Sequence, residues 1–143
     1  MSKFQVSILA ADNVLYEGPC ESLIVPTLQG QYGILAGHSN MISAVVPGEL
    51  SYRIPNGTEQ TAAVSAGLVK VENNEVLVLV DTAERPEDID TIRAKNEADM
   101  AKEAMLQKRS IQEYHLAQAK LARAINRLKV KRHYEDSIGK GLQ

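Results

Sequence analysis

Residues 76–98 read VLVLVDTAERPEDIDTIRAKNEA, and the hydrophobic period of the chain changes within them. The first five of these residues form an apolar run of the length of a buried strand. After Pro86 the apolar residues recur at every third or fourth position, which is the period of an amphipathic helix. Because Arg85-Pro86 also punctuates the chain, the sequence predicts a first domain over residues 1–84 and a second over residues 85–143.

The two predicted domains carry opposite charge. The chain has 143 residues and a formal net charge of −2. Residues 1–84 hold three basic and nine acidic side chains, whereas residues 85–143 hold thirteen basic and nine acidic ones. This asymmetry supports two domains. A nucleic-acid partner is not expected, because the acidic half would repel phosphates and one Phe without Trp gives few stacking surfaces.

Composition also limits the class of protein. Cys20 is the single cysteine, which excludes an internal disulfide and fits a reducing compartment. No apolar run approaches the roughly 20 residues that a membrane-spanning helix needs. Residues 1–4 lead into an alternating strand pattern rather than a secretory signal. We therefore expect neither a secreted nor an integral membrane protein.

The first half has the pattern of short antiparallel strands. Phe4, Val6 and Ile8 alternate with polar residues. Asn56-Gly57 and Asn73-Asn74 each separate two apolar runs, and such pairs are strong hairpin signals. Several short strands with regular turns predict an all-β sandwich or barrel.

The second half predicts two helices. Asp88 is the expected N-cap of the first helix, Lys108-Arg109 interrupts it, and Ser110 begins the second with the spacing of a capping box. The expected buried seams are Ala94, Ala98, Ala101 and Met105 in one helix, and Tyr114, Ala117, Leu121, Ala124 and Leu128 in the other. The helices should form an antiparallel hairpin. Its alanine-rich seam buries little area, so it needs a partner surface or a ligand.

A basic stripe marks the second helix. Lys120, Arg123, Arg127 and Lys131 are spaced to share one face, and no acidic residue lies between Tyr114 and His133. A solvated face is one interpretation, but such a face normally mixes signs to form ion pairs. With Lys129 and Arg132, the stretch holds six cations and no acidic residue. This excess of positive charge favours an anionic partner, either an acidic protein loop or a phosphate ligand, with nucleic acid the weakest candidate.

The sequence offers no catalytic set. No glycine-rich phosphate loop is present, and His38, His115 and His133 have no nucleophile or metal-ligand partner at a known spacing. Cys20 is interpreted as a small strand residue rather than a nucleophile. We expect neither a catalytic residue nor a metal site.

Five segments together resemble the epsilon subunits of bacterial F-type ATP synthases, and the similarity covers essentially the whole chain. They are LYEG at 15–18, GQYGILAGHS at 30–39, VSAGLVKV at 64–71, VLVDTAE at 78–84 and IDTIRA at 89–94. The last is similar to the family's nucleotide motif, Ile/Leu-Asp-x-x-Arg-Ala. The chain departs from many members where Gln29 and Gln31 replace acidic residues and Ala36 and Asn40 replace prolines.

The resemblance implies an α+β protein of two domains, an N-terminal antiparallel β-sandwich and a C-terminal antiparallel two-helix hairpin. The sandwich would bind the gamma subunit and face the membrane c-ring. The hairpin would inhibit ATP hydrolysis when extended along the stalk towards the beta and alpha subunits, and would bind ATP as a regulatory ligand when compact. The chain would then be a non-catalytic regulatory and coupling subunit, peripheral on the cytoplasmic side of the cell membrane.

The same resemblance implies three groups of site residues. The nucleotide group is Glu84, Ile89, Asp90, Arg93, Ala94, Arg123 and Arg127. The c-ring-facing loop has Gln29, Gln31, Tyr32 and His38, and the beta-subunit contact has Lys120, Arg123, Arg127 and Lys131. Paired arginines suit phosphate because each donates in a planar fork.

Three questions stay open at the level of sequence. Asp90 would orient Arg93 or accept from the adenine amino group, but the spacing equally allows a helix-terminal role with Arg93 as its i,i+3 partner. A magnesium requirement is undetermined. The alternative functions are a stand-alone ATP sensor without a rotary partner and, less favoured because no general base is assignable, a nucleotide hydrolase.

Overall fold

The computed structural model describes residues 2–107 and 110–141, with side chains of the last helix described as far as residue 138. It divides into two compact units, Met1–Arg85 and Pro86–Gln143. Lys108-Arg109, the expected interruption between the helices, lies outside the described residues.

The first unit is a β-sandwich of two five-stranded sheets in its described part. One sheet has the order β2-β1-β9-β8-β5, and the other has the order β10-β7-β6-β3-β4. The predicted sandwich is confirmed, with one parallel pair, β1 with β9, among antiparallel neighbours. The strands are β1 (Phe4–Ala10), β2 (Val14–Cys20), β3 (Ser22–Thr27), β4 (Gly30–Leu35), β5 (Met41–Val45), β6 (Gly48–Arg53), β7 (Glu59–Val64), β8 (Gly67–Glu72), β9 (Glu75–Val80) and β10 (Ala83–Glu84).

Large aliphatic side chains from both sheets fill the space between them. The alternation predicted for β1 is confirmed, since Phe4, Val6 and Ile8 are buried. Leu23 from β3 and Leu50 from β6 meet them from the opposite sheet and are fully buried. At roughly 1.5–3 kcal/mol for each buried side chain of this size, this core gives the sandwich its own source of stability.

The two predicted turns carry the backbone conformations that hairpins require. Asn73 and Asn74 both have positive φ, 51° and 63°, as in the type I′ turn that joins β8 to β9. Asn56 has φ 58° in the turn between β6 and β7, where the Gly57 N–H donates to the Ile54 carbonyl (3.1 Å). Both predicted hairpins are confirmed.

Cys20 lies in the sandwich core, as the sequence predicts. Its side chain is fully buried and its Sγ donates to the Ser22 carbonyl oxygen at 2.9 Å. Burial raises the pKa of the Cys20 thiol, which keeps it in the unreactive protonated form.

The second unit is an antiparallel helical hairpin. A 3₁₀ turn over Pro86–Asp88 precedes α1 (Thr91–Gln107), and α2 spans Ile111–Gly141. The prediction of Asp88 as the N-cap is wrong: Asp90 caps α1, and its Oδ1 accepts from the Arg93 N–H at 3.1 Å. Both are acidic residues before the same helix, so only the backbone geometry distinguishes them. The Ser110 cap is confirmed, since its Oγ accepts from the Glu113 N–H at 3.0 Å.

The buried positions of the hairpin are mostly alanine. They are Ala94, Ala98 and Ala101 in α1, and Ala117, Ala124 and Val130 in α2. The predicted seams are thus confirmed at their alanines, whereas Tyr114 stays exposed. Small side chains let two helices approach closely but bury little apolar area per residue.

The sandwich predicts an effect of a methyl group at Gly67. A Cβ at this position would collide with the carbonyl oxygen of Leu79, a backbone atom of the neighbouring strand. Gly67→Ala should therefore lower the free energy of unfolding by about 1–3 kcal/mol. Urea unfolding followed at the buried Val78 methyl groups by NMR measures this. Gly33→Ala is the matched control, because nothing lies within 4 Å of its Cβ position; equal midpoints for the two variants would contradict the packing described.

The hairpin predicts that its seam tolerates no larger side chain. Ala124 is 1% exposed, so Ala124→Leu would force the surrounding side chains apart and cost about 1–3 kcal/mol. Thermal unfolding followed by circular dichroism at 222 nm should show a lower midpoint. Ala122→Leu, at an exposed position of the same helix, should leave the midpoint nearly unchanged. A seam that accepts leucine at residue 124 as readily as at residue 122 is not the close contact inferred.

Candidate functional site

An open groove of about 480 Å³ runs between α1 and α2. Its middle is apolar, and Met100, Leu116 and several alanines line it. Glu97 and Arg123 lie at the end remote from the interhelical turn, and Lys120 lies one helical turn from Arg123. Glu113 lines the opposite end, so the groove joins an apolar surface to two cations and two carboxylates.

Glu97 connects the two helices at this end. Its Oε2 accepts from Nη1 of Arg127 on α2 at 3.0 Å. Its Oε1 lies 3.4 Å from Nε of Arg93, one turn earlier on α1. The Arg127 side chain is only 12% exposed, whereas that of Arg93 is 75% exposed. The pair with Arg127 is therefore the more shielded of the two and gives the larger stabilisation.

Arg123 is placed differently from Arg127. The Arg123 side chain borders the groove, and that of Arg127 does not. In both residues the buried Nε lacks a hydrogen-bond partner among the described residues, although Arg127 pairs with Glu97 through Nη1. A buried donor without an acceptor costs roughly 1–3 kcal/mol. An anion in the groove would reach the Arg123 Nε only after the side chain turned towards it.

The structure brings together part of the predicted nucleotide group. Arg93 and Arg127 share Glu97, and Arg123 lines the groove beside that carboxylate. Ile89 and Ala94 are buried, so their side chains serve packing. Glu84 lies in β10, in the other unit.

Asp90 has the helix-terminal role that its spacing allowed. Its carboxylate caps α1 through the Arg93 backbone N–H. The Arg93 side chain pairs with Glu97 instead of Asp90. Asp90 thus contacts Arg93 through the Arg93 backbone N–H and not through the Arg93 guanidinium.

The basic stripe is less uniform than the sequence indicates. Lys120 is exposed. Lys131 donates from Nζ to the Pro86 carbonyl oxygen at 3.0 Å and lies 5.8 Å from the Tyr134 ring centroid. The expectation of unopposed cations is wrong for Arg127, because Glu97 opposes it from α1. The acidic partner of Arg127 lies on α1 and not on α2, so the sequence of α2 alone does not indicate it.

The predicted c-ring-facing residues lie on the β3–β4 hairpin and the turn after it. Gln29 and Gln31 are exposed at the hairpin tip. The Tyr32 hydroxyl and His38 Nε2 are 2.9 Å apart, and Nδ1 of His38 lies 2.8 Å from the Ser39 carbonyl oxygen. A carbonyl oxygen can only accept, so Nδ1 of neutral His38 carries the hydrogen and donates it to Ser39. The unprotonated Nε2 then accepts a hydrogen bond from the Tyr32 hydroxyl group.

The predictions from sequence do not include two residues that the structure places at these candidate sites. Glu97 had a detectable signal, since it stands four residues after Arg93 on the same helix face. Leu28 is 80% exposed at the β3–β4 tip, beside Gln29, and only the structure shows that this apolar side chain points outward.

The described parts of the chain contain no cluster of three or more His, Cys, Asp or Glu side chains arranged to hold a metal. Among the same residues, no helix has the length and apolar character needed to cross a bilayer.

Family models match nearly the whole chain. The ATP synthase delta/epsilon chain β-sandwich domain matches residues 3–86, and the long α-helix domain of the same chain matches residues 87–132. The ATP synthase epsilon chain of Shouchella clausii is 37% identical over 133 residues, 93% of this chain and 98% of that protein. That of Ruminococcus albus is 36% identical over 131 residues, 91% and 97% of the two chains.

Solved structures share the fold. A chain of the Euglena gracilis mitochondrial ATP synthase, in an OSCP/F1/c-ring structure, superposes with a TM-score of 0.73 at 19% identity and covers 85% of this chain and 77% of its own. A chain of the Tetrahymena thermophila mitochondrial ATP synthase central stalk and c-ring gives 0.62 at 12% identity, with 91% and 97% covered. With two domain models matched in order and relatives similar over their full length, this chain belongs to the ATP synthase delta/epsilon chain family, as an epsilon subunit of an F-type ATP synthase.

Proposed function

We propose that this chain is the regulatory and coupling subunit in the central stalk of a proton-translocating ATP synthase. It supports ATP synthesis from ADP driven by a proton gradient, and it has no catalytic centre of its own. The observation that carries the proposal is the hairpin, whose helices meet through alanines and whose groove ends at Arg123 and Glu97. Such a hairpin is suited to open and close in response to an anionic ligand.

The sandwich is proposed to hold the subunit in place. It would bind the gamma subunit and face the c-ring through the β3–β4 hairpin and the turn after it. The exposed side chains there support this role: Leu28 offers apolar contact, and Gln29 and Gln31 offer uncharged hydrogen-bonding groups. Tyr32 and His38 brace each other across the strand end. The complex would keep the subunit at the cytoplasmic side of the cell membrane as a peripheral protein.

The hairpin is proposed to alternate between two uses of the same cations. In the extended form, Lys120, Arg123, Arg127 and Lys131 would contact an acidic surface of a beta subunit, next to an alpha subunit, and inhibit ATP hydrolysis. In the compact form, called the paired form below because α1 and α2 lie side by side, Arg127 contacts Glu97 and Lys131 contacts the Pro86 carbonyl oxygen. These contacts are incompatible with simultaneous docking on a beta subunit, which supports a two-state hairpin.

ATP is proposed as the regulatory ligand of the paired form. Within the second unit, the site would comprise Ile89, Asp90, Arg93, Ala94, Arg123 and Arg127. Two features of the groove support this ligand: its apolar middle suits a base, and the cationic Arg123 side chain on its border suits a phosphate. At a hundred times its dissociation constant, ATP would stabilise the paired form by about 2.7 kcal/mol. Because a seam of alanines buries little apolar area, this free energy would decide which form of the hairpin is more populated. A stand-alone ATP sensor is the alternative function, and co-purification with the gamma subunit distinguishes the two.

Arg123→Ala should weaken ATP binding by about tenfold or more, because a hydrogen bond to a charged group contributes roughly 1.5–3 kcal/mol. Isothermal titration of the full chain with ATP, with and without Mg²⁺, measures the affinity and the magnesium requirement together. Lys129→Ala is the control: it removes an exposed cation from α2 that does not line the groove. If both variants bind as the wild type does, the stripe serves a protein partner and the nucleotide site is misplaced.

Ending the chain after Arg85 should raise ATP hydrolysis by the reconstituted complex while assembly and coupled synthesis persist. The sandwich has its own core and should fold without the hairpin. Because exposed ionic contacts are screened over roughly 8 Å at physiological salt, inhibition by the intact subunit should also weaken as salt rises. Hydrolysis assays over a range of ionic strengths test both expectations. Equal hydrolysis with the intact and shortened subunits at every salt concentration would remove the inhibitory role.

A further inference from the structure

Glu97 occupies the position where a bound phosphate would be expected. Its two carboxylate oxygens contact Arg93 and Arg127, which are two of the three arginines in the proposed nucleotide site. A carboxylate and a phosphate oxygen make the same kind of charge-assisted contact with a guanidinium. The hairpin therefore already contains an anion bound to its own arginines.

Arg127 cannot accept a second anion on the same side without a change. Its side chain is 12% exposed, and Nη1 is engaged by Glu97 at 3.0 Å. A phosphate placed there would lie against the carboxylate, and two like charges in contact repel each other. Phosphate binding at Arg127 thus requires Glu97 to leave.

Glu97 is able to leave. Its side chain is 43% exposed, and its second partner, Arg93, is 75% exposed, so both can turn into solvent without uncovering the seam. Arg123 lines the same groove, and its buried Nε lacks an acceptor among the described residues. A phosphate can contact Arg123 with the Glu97 ion pairs still closed.

We propose that Glu97 is an internal competitor of phosphate that sets the affinity of this hairpin for nucleotide. The phosphate chain first contacts Arg123, and it gains Arg127 only by displacing the Glu97 carboxylate towards solvent. The carboxylate lowers the affinity for ATP and so raises the ATP concentration at which the paired form is held. This inference rests on the proposed binding of ATP to the paired hairpin.

Isothermal titration of the full chain with ATP tests it. Glu97→Gln should bind ATP about tenfold or more tightly than the wild type, because one charged competitor has been removed. Glu103→Gln, which neutralises an exposed carboxylate of α1 outside the groove, should leave the affinity unchanged. Arg127→Ala should weaken binding more in the Glu97→Gln background than in the wild type, where Arg127 is already occupied.

A second measurement covers the case in which Glu97→Gln loosens the hairpin. In the wild-type chain, the side-chain carboxyl ¹³C signal of Glu97 should shift on saturation with ATP, whereas that of Glu103 should not. A Glu97 signal that stays in place at saturation overturns the proposal.

The titrations also separate this inference from the function on which it rests. If the wild type binds ATP and Glu97→Gln binds it no more tightly at equal helicity, the proposal that Glu97 competes with phosphate is wrong. The proposed nucleotide site is then still supported. If only Glu97→Gln binds ATP, the competitor is supported and ATP regulation of the wild type is contradicted. If neither binds, both are overturned.

Discussion

The size of the side chains between α1 and α2 limits how strongly the two helices are held together. Ala94, Ala98, Ala117 and Ala124 allow a close approach but remove little apolar surface from water. The polar contacts at the groove end, led by the 3.0 Å pair between Glu97 and Arg127, then form a large share of what joins the helices. In a hairpin built this way, we expect a change in charge at the groove end to alter how strongly the two helices are held together.

The sandwich is built in the opposite way. Its interior contains Ile8, Leu23, Ile34 and Leu50, all essentially inaccessible to water, and its turns have the backbone conformations that two-stranded hairpins need. Such a unit has its own source of stability and would stay folded in either proposed state of the hairpin. The well-packed domain and the loosely held one coincide with the opposite charges of the two halves. This division suits the regulatory role proposed above, in which one domain holds its position and the other would move.

Local features of the fold could be predicted from sequence, and long-range ones could not. The alternation in β1, the Asn73-Asn74 turn and the Ser110 cap depend on neighbours a few residues away. The pairing of Arg127 with Glu97 joins residues thirty positions apart, and nothing in the α2 sequence indicates it. Sequence predicts the N-cap at Asp88 rather than Asp90 because two acidic residues fit the same rule, and only the backbone geometry identifies Asp90. The parallel pairing of β1 with β9 likewise depends on topology rather than on local pattern.

The distance between the helices within the assembled complex tests the two-state hairpin most directly. Spin labels on Glu103→Cys and Ala122→Cys, two exposed positions on facing helices, report it by pulsed electron resonance. The fully buried Cys20 can remain in place. We expect both a short and a long distance without nucleotide, and only the short distance at saturating ATP. A distance distribution that is the same with and without ATP would contradict a hairpin that opens and closes under the control of its ligand.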